Sequence, residues 1–290
     1  MSSLSVTKAV IPAAGQGTRF LPATKASPKE MLPLVDKPLI QYIAEEAALA
    51  GIRNIIVISG RGKRAIEDHF DVSYELEETL KQSSKDALLK EIHAISDLAS
   101  FCYVRQHHMR GLGDAILCAQ PVIGDEPFAV MLGDEIIDAD VPAIAQLMDL
   151  YDRFRAPIIG VQEVAPDEVS HYGIITPKPA GDGLFQVTDL VEKPSPADAP
   201  SRLAVIGRYI LTPEVFAVLE KTPPGKNQEV QLTDALRTIA KRAPMYAWVI
   251  KGKRFDAGDK LGFLKATVEF GLKNPELGER FARYLKQLSI

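Results

Sequence analysis

The sequence predicts an α/β protein built on a mostly parallel, doubly wound sheet, and three observations carry that prediction. Short apolar runs alternate with amphipathic helical stretches through the first half, the order that feeds parallel strands through helical crossovers. Several runs, such as Asn-Ile-Ile-Val-Ile-Ser at 54–59, are apolar on both faces, as strands covered on both sides by helices must be. After Val164 the pattern shifts to strand-like runs separated by Pro- and Gly-rich turns, which read as antiparallel additions to the same sheet.

Taken in order, Val10 and Ile11 open the first strand, and a helix follows over 39–50 with Gly51 as its C-terminal cap. Strand 54–59 leads into a polar helical insertion over 73–98 and then strand 101–105. A helix over 113–120, a buried strand over 127–132, a helix over 141–154 and a strand over 157–161 complete the first half. The second half contributes strands 173–176, 184–191 and 204–211, helices 213–221 and 231–241, and strand 246–250. Helices 261–271 and 275–288 close the chain. Neither an internal repeat nor a long linker interrupts it. The whole of 1–290 is therefore expected to be one domain, with a first half at about 6–165 and a second half at about 166–260. The C-terminal helices, 261–290, are a candidate oligomer contact.

Charge and cysteine content narrow the function classes. A formal net charge of −4 argues against general nucleic-acid binding, so the basic residues that matter are local. Cys102 and Cys118, each flanked by apolar residues, read as reduced core thiols without metal or redox spacing. The polar first seven residues carry no signal-peptide pattern and no apolar run approaches a membrane span. A cytoplasmic protein with no membrane contact is expected.

The stretch Ala13-Ala14-Gly15-Gln16-Gly17-Thr18-Arg19, continuing through Lys25 to Lys29-Glu30, follows the first strand, where open α/β sheets bind ligands. Its small residues allow close approach of backbone N–H groups to phosphate oxygens, and Arg19, Lys25 and Lys29 add charge. A dinucleotide fingerprint fails because Phe20 stands where its third glycine is required, and no Walker loop occurs. The segment is a polyphosphate cradle of another kind.

Further candidates lie at the ends of later strands. Asp134, after Leu132-Gly133, would project a carboxylate into the same crevice, as Mg²⁺ sites require. Glu135 is a weaker candidate, and Asp138 and Asp140 are expected to cap the next helix. In Arg254-Phe255-Asp256-Ala257-Gly258-Asp259, Asp256 could be a second ligand and Asp259 a cap, or both could be caps. Glu192 and Lys193, stiffened by Pro194, could meet sugar hydroxyls and phosphate, or form an exposed ion pair. Gln106 ends a strand with both a donor and an acceptor for a base edge, and Gly111-Leu112-Gly113 opens a helix with free N–H groups. His107 and His108 read as a surface pair.

The runs 13–19, 25–33, 37–42, 190–194, 228–236 and 255–264 resemble the bacterial UTP–glucose-1-phosphate uridylyltransferases, the match extending over about residues 6–270. The opening loop alone marks the wider sugar-nucleotidyltransferase family; the Ala13-Ala14-Gly15 start, the Ser27–Leu32 run and Gln231-Leu232-Thr233-Asp234-Ala235 narrow it. The resemblance implies a Rossmann-like three-layer αβα sandwich with a mixed, mostly parallel sheet, its nucleotide-binding half at about 6–165 and its sugar-binding half at about 166–260. It implies a cytoplasmic homodimer or homotetramer that converts UTP and glucose 1-phosphate to UDP-glucose and diphosphate with Mg²⁺. Ala13, Ala14, Gly15, Gly17, Thr18 and Glu30 would serve the nucleotide, with Gln106 and Gly111 reading uracil. Arg19, Lys29, Asp134 and Lys193 would be catalytic, and Asp134 with Asp256 would hold the metal. Gly173, Glu192, Lys193 and Gly207 would line the sugar site. The alternatives are a thymidylyltransferase, since thymine differs from uracil by one methyl, and a catalytically weak regulatory paralogue that binds nucleotide sugars. Two positions depart from the family pattern: Asp114 stands where many relatives carry His, and Glu135 where they often carry Asp or an apolar residue. Neither is expected to touch the assigned roles.

Overall fold

The computed structural model describes residues 5–288. The chain enters through β1 (Lys8–Pro12), whose carboxyl end opens the Gly-rich loop, and a small hairpin, β2 (Pro33–Leu34) and β3 (Lys37–Pro38), returns it to α1 (Leu39–Leu49). Gly51, at φ 89°, takes the left-handed turn that releases α1 into β4 (Asn54–Ser59). Helices α2 (Arg64–Phe70), α3 (Tyr74–Gln82) and α4 (Asp86–Ser96) lead to β5 (Ser100–Arg105). The expected insertion is thus two helices, broken at Ser84, which is itself at φ 51°. After β5 come α5 (Leu112–Leu117) and α6 (Gln120–Ile123), where one helix was expected; Pro121, in the first turn of α6, lacks the N–H that a continuous helix would need. Then follow β6 (Phe128–Met131), β7 (Glu135–Asp138), α7 (Ala143–Phe154) and β8 (Ile158–Glu163).

The second half runs β9 (Gly173–Gly181), β10 (Leu184–Glu192), β11 (Leu203–Leu211), α8 (Glu214–Leu219), α9 (Leu232–Ala240), β12 (Tyr246–Val249), β13 (Lys253–Asp256), α10 (Lys260–Lys273) and α11 (Gly278–Gln287). Nine strands form one sheet in the order β5-β4-β1-β6-β11-β8-β12-β10-β9. The first half supplies the parallel run β5-β4-β1-β6. From the second half, β11 inserts antiparallel between β6 and β8, β12 lies parallel to β8, and β10 runs antiparallel to β12 and β9.

Strand alternation explains the layers. On β1, Ala9 and Ile11 pack towards α1 and α7 with Ile43, Ala47 and Leu147, while Val10 faces Ile116, Phe216 and Leu236 on the other side. Two buried cores, one on each face, make the three-layer sandwich. The chain leaves β1 for β4 on one side and later reaches β6 on the other, so the strand order reverses at β1. A crevice opens there beyond the carboxyl ends of the strands.

Two expectations are corrected. Asp138 and Asp140 do not cap α7, whose N-cap is Pro142 without a side-chain bond; Asp138 instead ends β7 and pairs with Lys273. Cys102 is exposed because β5 is an edge strand whose alternate residues face solvent, and Cys118, at the end of α5, is only half-buried. Asp259 does cap α10, its carboxylate accepting from the Leu261 and Gly262 N–H groups at 2.8 and 3.0 Å.

Candidate active site

The Gly-rich loop is built by continuing β1 past its last strand residue. The Ala13 N–H donates to Ile58 O at 2.9 Å, so Ala13 and Ala14 form a buried floor. Gly15 faces open space: a Cβ added there would meet nothing within 4 Å. Gly17, at φ 65°, turns the chain back, and its carbonyl accepts from Thr24 Oγ1 at 2.7 Å. A side chain at Gly17 would crowd the Lys29 Cβ at 3.2 Å, so this glycine also sets where Lys29 stands. Thr18, Arg19 and Lys25 are exposed at the mouth.

Glu30 sits beneath this loop, not in it. It is 1% exposed, pairs with Lys63 at 2.8 Å and packs under Gly133. Its Oε1 has no partner among the described residues. A buried ion pair fixes geometry at a desolvation cost, so Glu30 supports the residue before it and is shielded from the crevice.

The two candidate metal carboxylates come together through a ribbon that sequence reading missed. Strands β7 and β13 pair antiparallel with Glu135 opposite Asp256, and the Ala257 N–H donates to Asp134 O at 2.8 Å. Asp134 and Asp256 consequently converge on Gly258, where an added Cβ would lie 2.7 Å from Asp134 Oδ2 and 3.0 Å from Asp256 Oδ1. Lys29 Nζ donates to Asp134 Oδ2 at 2.6 Å, and Arg19 Nη1 donates to Gly258 O at 3.2 Å. Two of the loop's three cations therefore reach the carboxylate turn, while Lys25 stays in solvent.

Burial opposes charge on both Lys29 and Asp134, and their mutual attraction outweighs it. Lys29 is held above the usual lysine range by Asp134 and Glu30, and Asp134 below the usual carboxylate range by Lys29. Asp256 is oriented by three donors: Gly258 N–H at 2.9 Å, the Tyr172 hydroxyl at 3.0 Å and Arg254 at 3.4 Å. Burial pushes the Tyr172 phenol up to about 12, so it stays protonated and donates. Arg254 stacks 4.7 Å over the Tyr172 ring and donates to both Glu135 oxygens, at 2.6 and 2.7 Å. Glu135 thus acts on Asp256 through Arg254, against the expectation that it touches no assigned role.

The sugar-side candidates gather at the start of β9 and the end of β10. Gly173 pairs with Glu192, and a Cβ on Gly173 would meet Thr233 Oγ1 at 3.0 Å and Glu192 Oε2 at 3.3 Å. Thr233 donates to Glu192 Oε2 at 2.6 Å. Lys193 is a non-glycine held at φ 47°, its N–H bonded to Tyr172 O at 3.0 Å and its ammonium 3.4 Å from Glu192. A cavity of about 680 Å³ joins Lys193 to Arg19, Tyr172, Arg254, Asp256 and Lys265. Gly207, at φ 72°, is buried behind Leu132, whose N–H it accepts at 2.9 Å. A larger groove of about 820 Å³, between α7, the β9–β10 tip and Lys251, contains none of the expected residues, so size alone does not find the site.

At the other end, Gln106 follows β5, its N–H bonded to Ser59 O at 2.9 Å. Gly111, at φ 101°, lies so close to Glu229 and Val230 that a Cβ would come within 2.7 Å of the Glu229 Cβ. The Gly113 N–H, expected to be free, is taken by Val230 O at 2.9 Å. Asp114, 5% exposed, accepts from the Gln106 amide, so this departure too bears on an assigned residue.

With this geometry in place, the similarity to known proteins is decisive. The model of the family described as nucleotidyl transferase matches residues 8–271. The chain belongs to the nucleotidyl transferase family. The UTP–glucose-1-phosphate uridylyltransferase YngB of Bacillus subtilis is 54% identical over 283 residues, 98% of this chain and 95% of that protein. A UDP-glucose pyrophosphorylase solved with UDP-glucose superposes with a TM-score of 0.87 at 48% identity, over 93% of this chain and all of that one. A UTP-bound enzyme from Acinetobacter baumannii gives 0.91 at 40% identity, over 98% of this chain and 100% of that chain. The nucleotidyl transferase fold expected from sequence is the observed one.

For a nucleotidyl transferase the donor set can be tested against a divalent metal. Among the described residues no three His, Cys, Asp or Glu side chains form a metal-holding group. Two converging carboxylates are present instead, which suits a hard cation that completes its shell with substrate phosphates and water. Thr233, Tyr172, Arg254 and Lys63 join the site as residues with no role assigned from sequence. For Thr233 a signal existed, since it lies in the 231–235 run that marked the resemblance.

Proposed function

We propose that this nucleotidyl transferase converts UTP and α-D-glucose 1-phosphate to UDP-glucose and diphosphate. The observation that carries the reading is the convergence of Asp134, Asp256, Lys29 and Arg19 on the turn at Gly258, at the cavity that Arg19, Asp256 and Lys193 line. Relatives named for this reaction, and structures holding UTP or UDP-glucose, support it. Ala13 to Thr18 would follow the nucleotide. Gly173, Glu192 and Lys193 would take glucose 1-phosphate, with Gly207 backing the strand end beside them.

A phosphate oxygen of the sugar phosphate forms the new bond to the α-phosphorus of UTP, and the α–β bridging bond breaks to release diphosphate. The nucleophile is already an anion, so no general base is required. The protein's part is in-line positioning and neutralisation of charge by Arg19, Lys29 and Lys193. Asp134 and Asp256 would hold Mg²⁺, which supplies further charge neutralisation on the phosphate oxygens. We also infer one domain with a nucleotide half and a sugar half, and a cytoplasmic location. Self-association is supported by the exposed apolar stripe Leu261, Leu264, Val268 and Leu272 on α10; light scattering tests it.

The direct test is diphosphate release from UTP with and without glucose 1-phosphate, run beside dTTP. Release from UTP that requires the sugar phosphate is expected. Equal release from dTTP would move the assignment to a thymidylyl or mixed activity, and none from either to a binding role. In the same assay Tyr172→Phe removes one donor that orients Asp256. The Mg²⁺ needed for half-maximal rate should rise about tenfold, the usual cost of losing such a supporting bond, with Mn²⁺ affinity falling in parallel by electron paramagnetic resonance. Unchanged metal dependence in both would show that Gly258 and Arg254 suffice.

A further inference from the structure

The side-chain amide of Gln106 is held in one orientation by groups that can only accept. Its Nε2 donates to Asp114 Oδ2 at 2.7 Å and lies 3.3 Å from Gly111 O. A carboxylate and a carbonyl have no proton to give, so chemistry alone turns the amide nitrogen towards them and Oε1 away. Asp114 cannot swing aside. It is buried on the first turn of α5, and its other oxygen accepts from Arg110 Nη2 and Nε at 2.7 and 3.0 Å. Gly111 is equally fixed, since Val230 N–H donates to Arg110 O at 2.7 Å and Gly113 N–H to Val230 O. Among the described residues nothing donates to Gln106 Oε1.

We propose that Asp114, itself held by Arg110, is the positioning residue that selects the base, by presenting Gln106 Oε1 as an acceptor towards the nucleotide. The proposal rests on the uridylyl reading and deepens it. Uracil carries a donor at N3, which an outward Oε1 accepts. Cytosine carries a lone pair at N3, which the same oxygen repels. Had the amide been free to rotate by half a turn, Nε2 would face outward and the preference would invert. The device therefore takes pyrimidines with an imino N–H and rejects cytosine, while leaving the 5-methyl of thymine unread. A site built around a hydrogen bond to its substrate discriminates far more strongly than one reading shape.

Asp114→Asn tests it with little change of volume. Arg110 can only donate, so it takes the Asn oxygen and turns the Asn amide nitrogen towards Gln106, which then favours the rotated amide. Dissociation constants for UTP and CTP with Mg²⁺ by calorimetry, and kcat/KM for each with glucose 1-phosphate, are measured on parent, Asp114→Asn and Asp114→Ala. The preference for UTP over CTP is expected to fall at least tenfold in Asp114→Asn, partly through tighter CTP binding. Asp114→Ala, which unlocks the amide without reversing it, should fall between. Losses of equal size for both nucleotides in both folded variants would mean that Asp114 only supports the loop, and would overturn the proposal alone. A parent that binds UTP no more tightly than CTP overturns the uridylyl reading together with it.

Discussion

Asp134→Asn is expected to lower kcat by two orders of magnitude or more at saturating Mg²⁺, with a far smaller effect on stability. Two arrangements lead to that figure. Asp134 converges with Asp256 on Gly258, so Asn removes half of the negative charge available to a bound cation. Metal ions that clamp reacting phosphate oxygens stabilise the transition state by several kcal/mol, and about 1.4 kcal/mol is a factor of ten in rate. Asp134 is also the partner of Lys29 at 2.6 Å. With Asn in place, Lys29 loses the attraction that offsets its burial, so a cation expected to face the triphosphate is weakened as well. Fold loss should be slight, because the backbone anchor from Ala257 N–H to Asp134 O does not depend on the side chain. Single-turnover diphosphate release and a thermal melt separate the two effects. Near-parental turnover would remove Asp134 from the mechanism.

Much of this architecture was legible because the parallel strands at the centre are buried on both faces and write themselves as unbroken apolar runs. Ile55, Ile56, Val57 and Ile58 are all buried, and so are Phe128 to Met131. The β7–β13 ribbon left no such trace. Its strands are four residues each and rich in charge, with Glu135, Asp138, Lys253, Arg254 and Asp256 among their eight positions. Its pairing joins segments 119 positions apart, as in the bond from Arg254 to Glu135. Spacing could nominate Asp134 and Asp256 separately, but only the ribbon register makes them neighbours. Glu30 shows the converse. Its place in a recognisable run pointed to the nucleotide, yet its burial depends on Lys63, 33 positions away, which local sequence does not reveal. Cys102 failed for a similar reason. Apolar neighbours mark a strand, but not whether that strand lies at the edge.

Glu46→Ala is expected to destabilise the protein by about 3–5 kcal/mol, the penalty for leaving a buried charge without its partner, although Glu46 lies outside the cavity that joins Lys193 to Asp256. Glu46 sits on α1 and accepts from Arg208 at 2.7, 3.1 and 3.2 Å, while also receiving the Ile144 N–H of α7 at 2.9 Å. Arg208, on β11, is completely buried. Its remaining donors reach Glu135 O at 2.8 Å, and Leu132 O and Gly207 O at 3.4 Å. Removing the carboxylate strands a guanidinium inside the sandwich and frees the first turn of α7. At the scale of a protein this size the melting temperature should drop by roughly 5–8 °C. The same guanidinium grips both sides of Asp134 from below, so below the melt the variant should also lose kcat, more than KM, as the Leu132–Glu135 turn loosens. Arg208→Met alone should cost less stability, because Glu46 keeps its backbone donor. The double variant Glu46→Met with Arg208→Met should recover much of the stability, since no charge is then left unpaired, but should not recover kcat, since the turn still lacks its anchor. Recovery of both in the double variant would mean that Arg208 contributes packing alone, and a melt within 2 °C of the parent in Glu46→Ala would mean, on the same scale, that water reaches the guanidinium when its partner is gone.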